Sequence, residues 1–256
     1  LTYPCQCDYG LDLLWSADSR WVVYRYAVER TTFAVDVTSG SREVFGSGVV
    51  PKAWAPQGAT LATIEGGALA LRDLDAGTTT MVGQQAVDGS EVMWSPDGQA
   101  IAFTQQRNGG RWVGVVNRLG KELIQVGEQA HLIGWSGDST HVAVVPTQRS
   151  TQGGVVDIYD VATGQRRQTL QNAAGRAAWS PVGSALAYLA PPEDATPCRQ
   201  SDDLRSWQVR LRDVNTGGDR LLGTLETVCR GGNPDLVWSA DGRFLAMRFD
   251  FTANIG

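Results

Sequence analysis

Lysine is nearly absent from this 256-residue chain: Lys52 and Lys121 are the only two, and the other basic residues are arginines. The formal net charge is −5, and no Lys/Arg cluster occurs, so the electrostatic footprint of a nucleic-acid binder is missing. Histidine is as scarce, with His131 and His141 alone. A catalytic triad or a multi-histidine metal centre is hard to assemble from so few. No apolar run is long enough to cross a bilayer, and no stretch has the periodicity of an amphipathic helix. The four cysteines, Cys5, Cys7, Cys198 and Cys229, lie far from zinc-ligand spacing, and Cys5-Gln6-Cys7 lacks the second paired cluster that a zinc site needs. The first residue is Leu1 and no signal peptide is present, as expected of a processed or partial chain. With the cysteine usage, this points to an oxidising, extracytoplasmic compartment.

What the chain has in quantity is tryptophan-tipped hairpins. In Glu91 to Thr104 a short apolar run ends in Trp94, the turn Ser95-Pro96-Asp97-Gly98 follows, and a second apolar run begins at Ala100. Pro pre-sets one turn dihedral and Gly supplies a positive φ at another, so the stretch reads as a β-hairpin. The pattern recurs with markers at Trp15, Trp54, Trp94, Trp135, Trp179 and Trp238, most successive pairs lying roughly forty residues apart. Downstream of each hairpin comes a second turn signal, as in Asp36 to Gly40, Asp73 to Gly77, Asn117 to Gly120, Asp160 to Gly164 and Asp213 to Gly217. Each repeat therefore reads as four strands, A to D. Strand A ends at the marker and strand B follows the first turn; the second turn separates C from D.

A four-stranded meander cannot bury both faces alone, and radial stacking solves this, with the marker indoles filling space between sheets. The expected fold is an all-β, six-bladed β-propeller in one domain spanning 1–256. The blades fall at about 9–48, 49–86, 90–127, 130–171, 175–226 and 234–256. The sixth is short by strands C and D, and the native chain is expected to continue past Gly256.

One repeat is stretched. The connection from Pro191 to Asp203 exceeds what a blade needs, and excess loop length signals function. Its Pro191, Pro192, Glu193, Asp194, Arg199, Asp202 and Asp203 are the candidate partner-contact residues. Loops between B and C and between D and A emerge on one face of the disc, so Cys198 and Cys229 share that face with Cys5 and Cys7. A Cys198–Cys229 disulfide is expected; a rival pairing ties Cys5 or Cys7 to one of them, and Cys5–Cys7 is strained.

Trp94-Ser95-Pro96-Asp97-Gly98 followed by Ala100-Ile101-Ala102-Phe103 resembles the WD40-like "PD40" repeat of TolB-type β-propellers. Trp179-Ser180-Pro181 and Trp238-Ser239-Ala240-Asp241-Gly242 match nearly as well. The resemblance covers almost the whole chain and is specific for fold. Such repeats occur in bacterial periplasmic and surface proteins and in the propeller domains of prolyl-oligopeptidase-type serine peptidases. Two functions follow from it: a non-catalytic scaffold for protein–protein interaction, or the gating domain of a peptidase whose hydrolase domain is not in this chain.

Within the chain no nucleophile elbow is present. Gly134-Trp135-Ser136-Gly137 comes close but is the blade-four copy of the A–B turn. His131 is placed in the D–A connection before blade four and His141 at the start of strand B. Asp73 and Asp75 read as turn formers and Asp202-Asp203 as a solvated loop, neither matching a calcium-binding loop. Trp21, Trp112 and Trp207, which are not markers, read first as inter-blade packing and second as a ligand platform. No cofactor or metal is expected, and the small-molecule ligand, if any, is unspecified.

Overall fold

The computed structural model describes residues 12–26, 29–83, 91–107, 110–120, 122–147, 154–173, 176–191, 204–228 and 235–248. They form antiparallel sheets with no α-helix among them. The first sheet is β1 (Asp12–Trp15), β2 (Trp21–Tyr26), β3 (Thr31–Asp36) and β4 (Arg42–Gly46). The second is β5 (Val49–Trp54), β6 (Thr60–Glu65), β7 (Ala68–Asp73) and β8 (Thr78–Gly83). The third is β9 (Val92–Trp94), β10 (Ala100–Arg107), β11 (Gly110–Asn117) and β12 (Glu122–Glu128). The fourth is β13 (Ala130–Trp135), β14 (His141–Pro146), β15 (Val155–Asp160) and β16 (Arg166–Gln171). The fifth is β17 (Ala177–Trp179), β18 (Ala185–Ala190), β19 (Leu204–Asp213) and β20 (Asp219–Val228). The described part of the sixth is β21 (Asp235–Trp238) and β22 (Leu245–Arg248). Every sheet is a simple meander in chain order.

The first hairpin of a blade is shaped by its own side chains. In the turn after Trp94, the Ser95 hydroxyl donates to Asp97 Oδ1 at 2.6 Å and accepts the Ala100 N–H at 2.9 Å. Asp97 Oδ1 also accepts the Gln99 N–H at 3.0 Å. The same three bonds recur around Ser16 and Asp18, Ser136 and Asp138, and Ser239 and Asp241. A serine and an aspartate two residues apart thus satisfy backbone donors that the turn would otherwise leave open. The second turn uses the same physics. Asp36, Asp73, Asp160 and Asp213 accept backbone N–H groups two or three residues on, and Gly40, Gly77, Gly164 and Gly217 take φ between 63° and 78° as the turn requires.

Stacking follows one rule. The indole Nε1–H of each later marker donates to the carbonyl of the residue just before the marker of the preceding blade. Trp54 reaches Leu14, Trp94 reaches Ala53, Trp135 reaches Met93, Trp179 reaches Gly134 and Trp238 reaches Ala178, at 3.0 to 3.2 Å. Across from each of these five acceptor residues, the second strand carries a compact side chain. These are Val23, Ala62, Ala102, Ala143 and Ala187, each 0% exposed. A bulkier residue there would hold the next sheet away. Apolar clusters fill the seams, as where Ala62, Ile64, Leu69 and Leu71 of the second sheet meet Trp94, Ile101 and Phe103 of the third. First strands of successive sheets are in contact, from β1–β5 and β5–β9 through β9–β13 and β13–β17 to β17–β21. The sheets therefore radiate from the edge on which strand A lies. Trp15, at the start of the series, is 54% exposed.

Candidate functional site

Strand A begins at one end of this inner edge, and there the blades present an ionisable rim. The rim position pairs with the same register position of each strand B. It holds Asp12 opposite Arg25, Val50 opposite Ile64, His131 opposite Val145 and Asp235 opposite Arg248. Glu91 and Arg176 fill it in the third and fifth blades, their carbonyls accepting from Thr104 and Leu189. Only Val50 of the six is not ionisable. His131 reaches this position because a register shift between Leu132 and Gly134 inserts one residue before the marker. It lies inside β13, not in the preceding connection where the sequence pattern placed it.

Side chains on the rim meet across blades. Glu91 Oε2 accepts the Leu132 N–H at 2.9 Å and lies 3.5 Å from Arg111 Nη2; Glu91 Oε1 lies 3.6 Å from His131 Nδ1. Thr104 supports the carboxylate's backbone, its hydroxyl accepting the Glu91 N–H at 2.9 Å. Two blades further on, Arg176 donates to Asp235 Oδ1 at 2.6 Å. All five ionisable side chains of these groups are a third to a half exposed. Exposed pairs of this kind contribute about 0–1 kcal/mol each, so they serve as an accessible polar surface more than as clamps. The rim is flanked by two ribbons that outrun the inner strands. One is β10–β11, paired out to Arg107 and Gly110; the other is β19–β20, paired out to Leu204 and Val228.

The opposite end of the blades carries the serine–aspartate turns. The Ser16 hydroxyl holds Asp18 below the usual carboxylate range, and Ser239 does the same for Asp241. At Asp138 burial pushes upward, but hydrogen bonds from Ser136, Thr140 and Asn215 outweigh it and the carboxyl is again lowered. Ser136 is 0% exposed and its hydroxyl is committed to Asp138 and to the His141 N–H. The neighbouring His141 ring is bonded to Thr140 instead. This turn has the residue types of a hydrolytic triad, arranged as a structural turn. Elsewhere, burial and then Asp219 push the Tyr188 hydroxyl up to about 12, and that hydroxyl donates to Asp219 Oδ2 at 2.7 Å.

The other residues singled out by sequence divide clearly. Trp21 and Trp207 are buried at 6% and 1% exposure, in the first–second and fifth–sixth seams. Packing is their role. Trp112 lies within β11, two residues past its start, half-buried. Asp73 closes its turn by accepting the Asp75 and Ala76 N–H groups, and Asp75 pairs with Arg20 at 2.8 Å. Pro191 follows β18 directly. Pro192, Glu193, Asp194, Arg199, Asp202 and Asp203 lie outside the described residues, as do Cys5, Cys7, Cys198 and Cys229. The rim itself escaped the sequence reading, because its members stand about forty residues apart and no local pattern joins them.

Solved structures match this arrangement of sheets. A chain of a mitotic checkpoint complex aligns with 94% of this chain and 70% of its own length, at 18% identity and a TM-score of 0.57. The β-propeller domain of Cps50 (Swd1) from Myceliophteria thermophila aligns with 93% of this chain and 78% of its own, at 13% identity and a TM-score of 0.52. The chain is a β-propeller. A TolB structure from Agrobacterium tumefaciens also aligns, over 93% of the propeller and 89% of its own chain, at 18% identity and a TM-score of 0.46. No family model matches the propeller's sequence, and no curated protein matches it.

Proposed function

We propose that this propeller is a non-catalytic binding module that engages a protein partner within an extracytoplasmic assembly. The observation that carries this reading is the ionisable rim, with Glu91, Arg111, His131, Arg176 and Asp235 a third to a half exposed around the start of the inner strands. It carries both signs of charge, Glu91 and Asp235 beside Arg111 and Arg176, which suits a protein surface of mixed charge better than a polyanion. The 191–203 connection starts near this rim: β18 ends at Ala190, one residue after Leu189, whose N–H donates to the Arg176 carbonyl. The rest of the propeller serves as a rigid frame, and four cysteines without zinc-ligand spacing accord with a compartment outside the cytoplasm.

The test compares three proteins for capture of envelope proteins: wild type, a Glu91→Gln/Arg176→Gln variant and a 191–203 deletion. Rim side chains are exposed, so far-UV circular dichroism and the thermal midpoint should stay unchanged in the double variant. Capture should fall at least about tenfold, equivalent to about 1.4 kcal/mol. Equal capture by wild type and both variants would rule the rim and the loop out as the contact surface.

A further inference from the structure

His141 opens β14 and is the first residue after the turn of the fourth blade, 2% exposed. Its ring stacks on the Trp179 indole of the fifth blade, with centroids 6.5 Å apart and planes 24° from parallel. Trp179 is the marker that bonds back to Gly134 of the fourth blade. The imidazole therefore sits in the seam between the two sheets.

Hydrogen-bond chemistry fixes its tautomer. Thr140 Oγ1 lies 2.6 Å from Asp138 Oδ1 and 2.7 Å from His141 Nδ1. A carboxylate only accepts, so the single hydroxyl proton of Thr140 goes to Asp138. The hydroxyl lone pair must then accept from His141, which places the ring proton on Nδ1. Nε2 is left as a bare lone pair, buried and with no hydrogen-bond partner. A neutral ring tolerates this at modest cost. A second proton would create a buried cationic donor with no acceptor, which is far costlier.

We propose that His141 makes the seam between the fourth and fifth blades acid-sensitive: the seam is built for the neutral imidazole and loosens when Nε2 is protonated. The charges facing the ring do not rescue the cation. Asp138 and Asp160 favour it and Arg167 opposes it. Asp138 is already occupied by Ser136, the Thr140 hydroxyl and N–H, and Asn215. Asp160 is tied to Thr163 in its own turn. From the fifth blade the ring meets the Trp179 indole. Burial outweighs the two carboxylates, and the imidazole is held below the usual histidine range.

The sign of the pH effect follows. Above about pH 6.5 the ring is neutral in the folded and unfolded states alike, and no penalty exists. Below that the unfolded chain takes up a proton that the folded seam refuses, so stability falls as pH falls, until the folded ring titrates too. The carboxylates act in a separate window. Those held low in the fold, such as Asp18 and Asp241, stabilise above about pH 3.9 and lose that contribution only below it.

Urea unfolding of wild type, His141→Asn and His131→Asn between pH 7.5 and 5 tests the proposal. Asn at 141 keeps a side-chain N–H for Thr140 and cannot titrate. Wild type and His131→Asn should share an acid limb in which the folding constant falls by up to about tenfold per pH unit, the limit for one proton. The limb should be lost in His141→Asn. An NMR titration of the wild-type His141 imidazole gives a second readout even if that variant does not fold, and the ring should titrate below the usual histidine range. An acid limb that persists in His141→Asn, or a His141 ring that titrates at or above about pH 6.5, overturns the proposal.

Discussion

Trp207→Ala should lower the unfolding free energy by about 3–5 kcal/mol, as expected for removing a large buried aromatic side chain. Trp207 is 1% exposed and packs with Leu189, Val209 and Leu225 of its own sheet and Leu236 and Leu245 of the next. Its indole N–H also donates to Thr227 Oγ1 at 3.2 Å. The side chain spans the seam by which the sixth sheet is held to the fifth. The loss should therefore be local before it is global: residues 235–248 should become sensitive to proteolysis at denaturant concentrations that leave the earlier sheets intact. Trp207→Phe should cost clearly less, since most apolar contact survives. A Trp207→Ala protein as stable as wild type in guanidinium would mean that this seam does not form.

Gly137→Ala should cost about 3 kcal/mol, the upper end for overpacking a close-packed interior. A Cβ at 137 would stand 2.5 Å from the Pro181 carbonyl carbon and oxygen and from the Val182 nitrogen. These are backbone atoms of the fifth blade's turn and cannot rotate away. The approach is drawn tight by the Asp138 N–H, which donates to the Gly183 carbonyl at 3.0 Å. Gly48→Ala is the control, because nothing lies within 4 Å of a Cβ there. It should change stability by less than about 0.5 kcal/mol, or stabilise slightly through the unfolded chain. Equal thermal midpoints for the two variants would contradict the packing of the fourth and fifth turns.

The fold was legible because its determinants are local. A marker tryptophan, a serine–aspartate turn and a second Asx turn each act within a few residues, so their recurrence at a blade-sized period shows in the chain. The relations between blades were not legible. That Trp135 needs the Met93 carbonyl, or that Gly137 is required by Pro181, depends on residues 42 to 44 positions apart whose partnership no pattern encodes. The same holds for the candidate site. Glu91, Arg111 and His131 are unremarkable alone and meet only because two sheets stack. A single inserted residue in β13 moved His131 from an expected connection onto the rim. The Pro191–Asp203 segment, conspicuous by length, lies almost wholly outside the described residues.

Blade stacking through the marker indoles is the physical basis of all these expectations. It is tested most directly by hydrogen exchange of the indole N–H protons, read one tryptophan at a time by nitrogen-15 NMR. Trp54, Trp94, Trp135, Trp179 and Trp238, each bonded to the preceding blade, should exchange slowly. Trp15, half exposed at 54%, should exchange fast. Rapid exchange at the five bonded indoles, or a Trp15 proton as protected as theirs, would contradict the stacking rule.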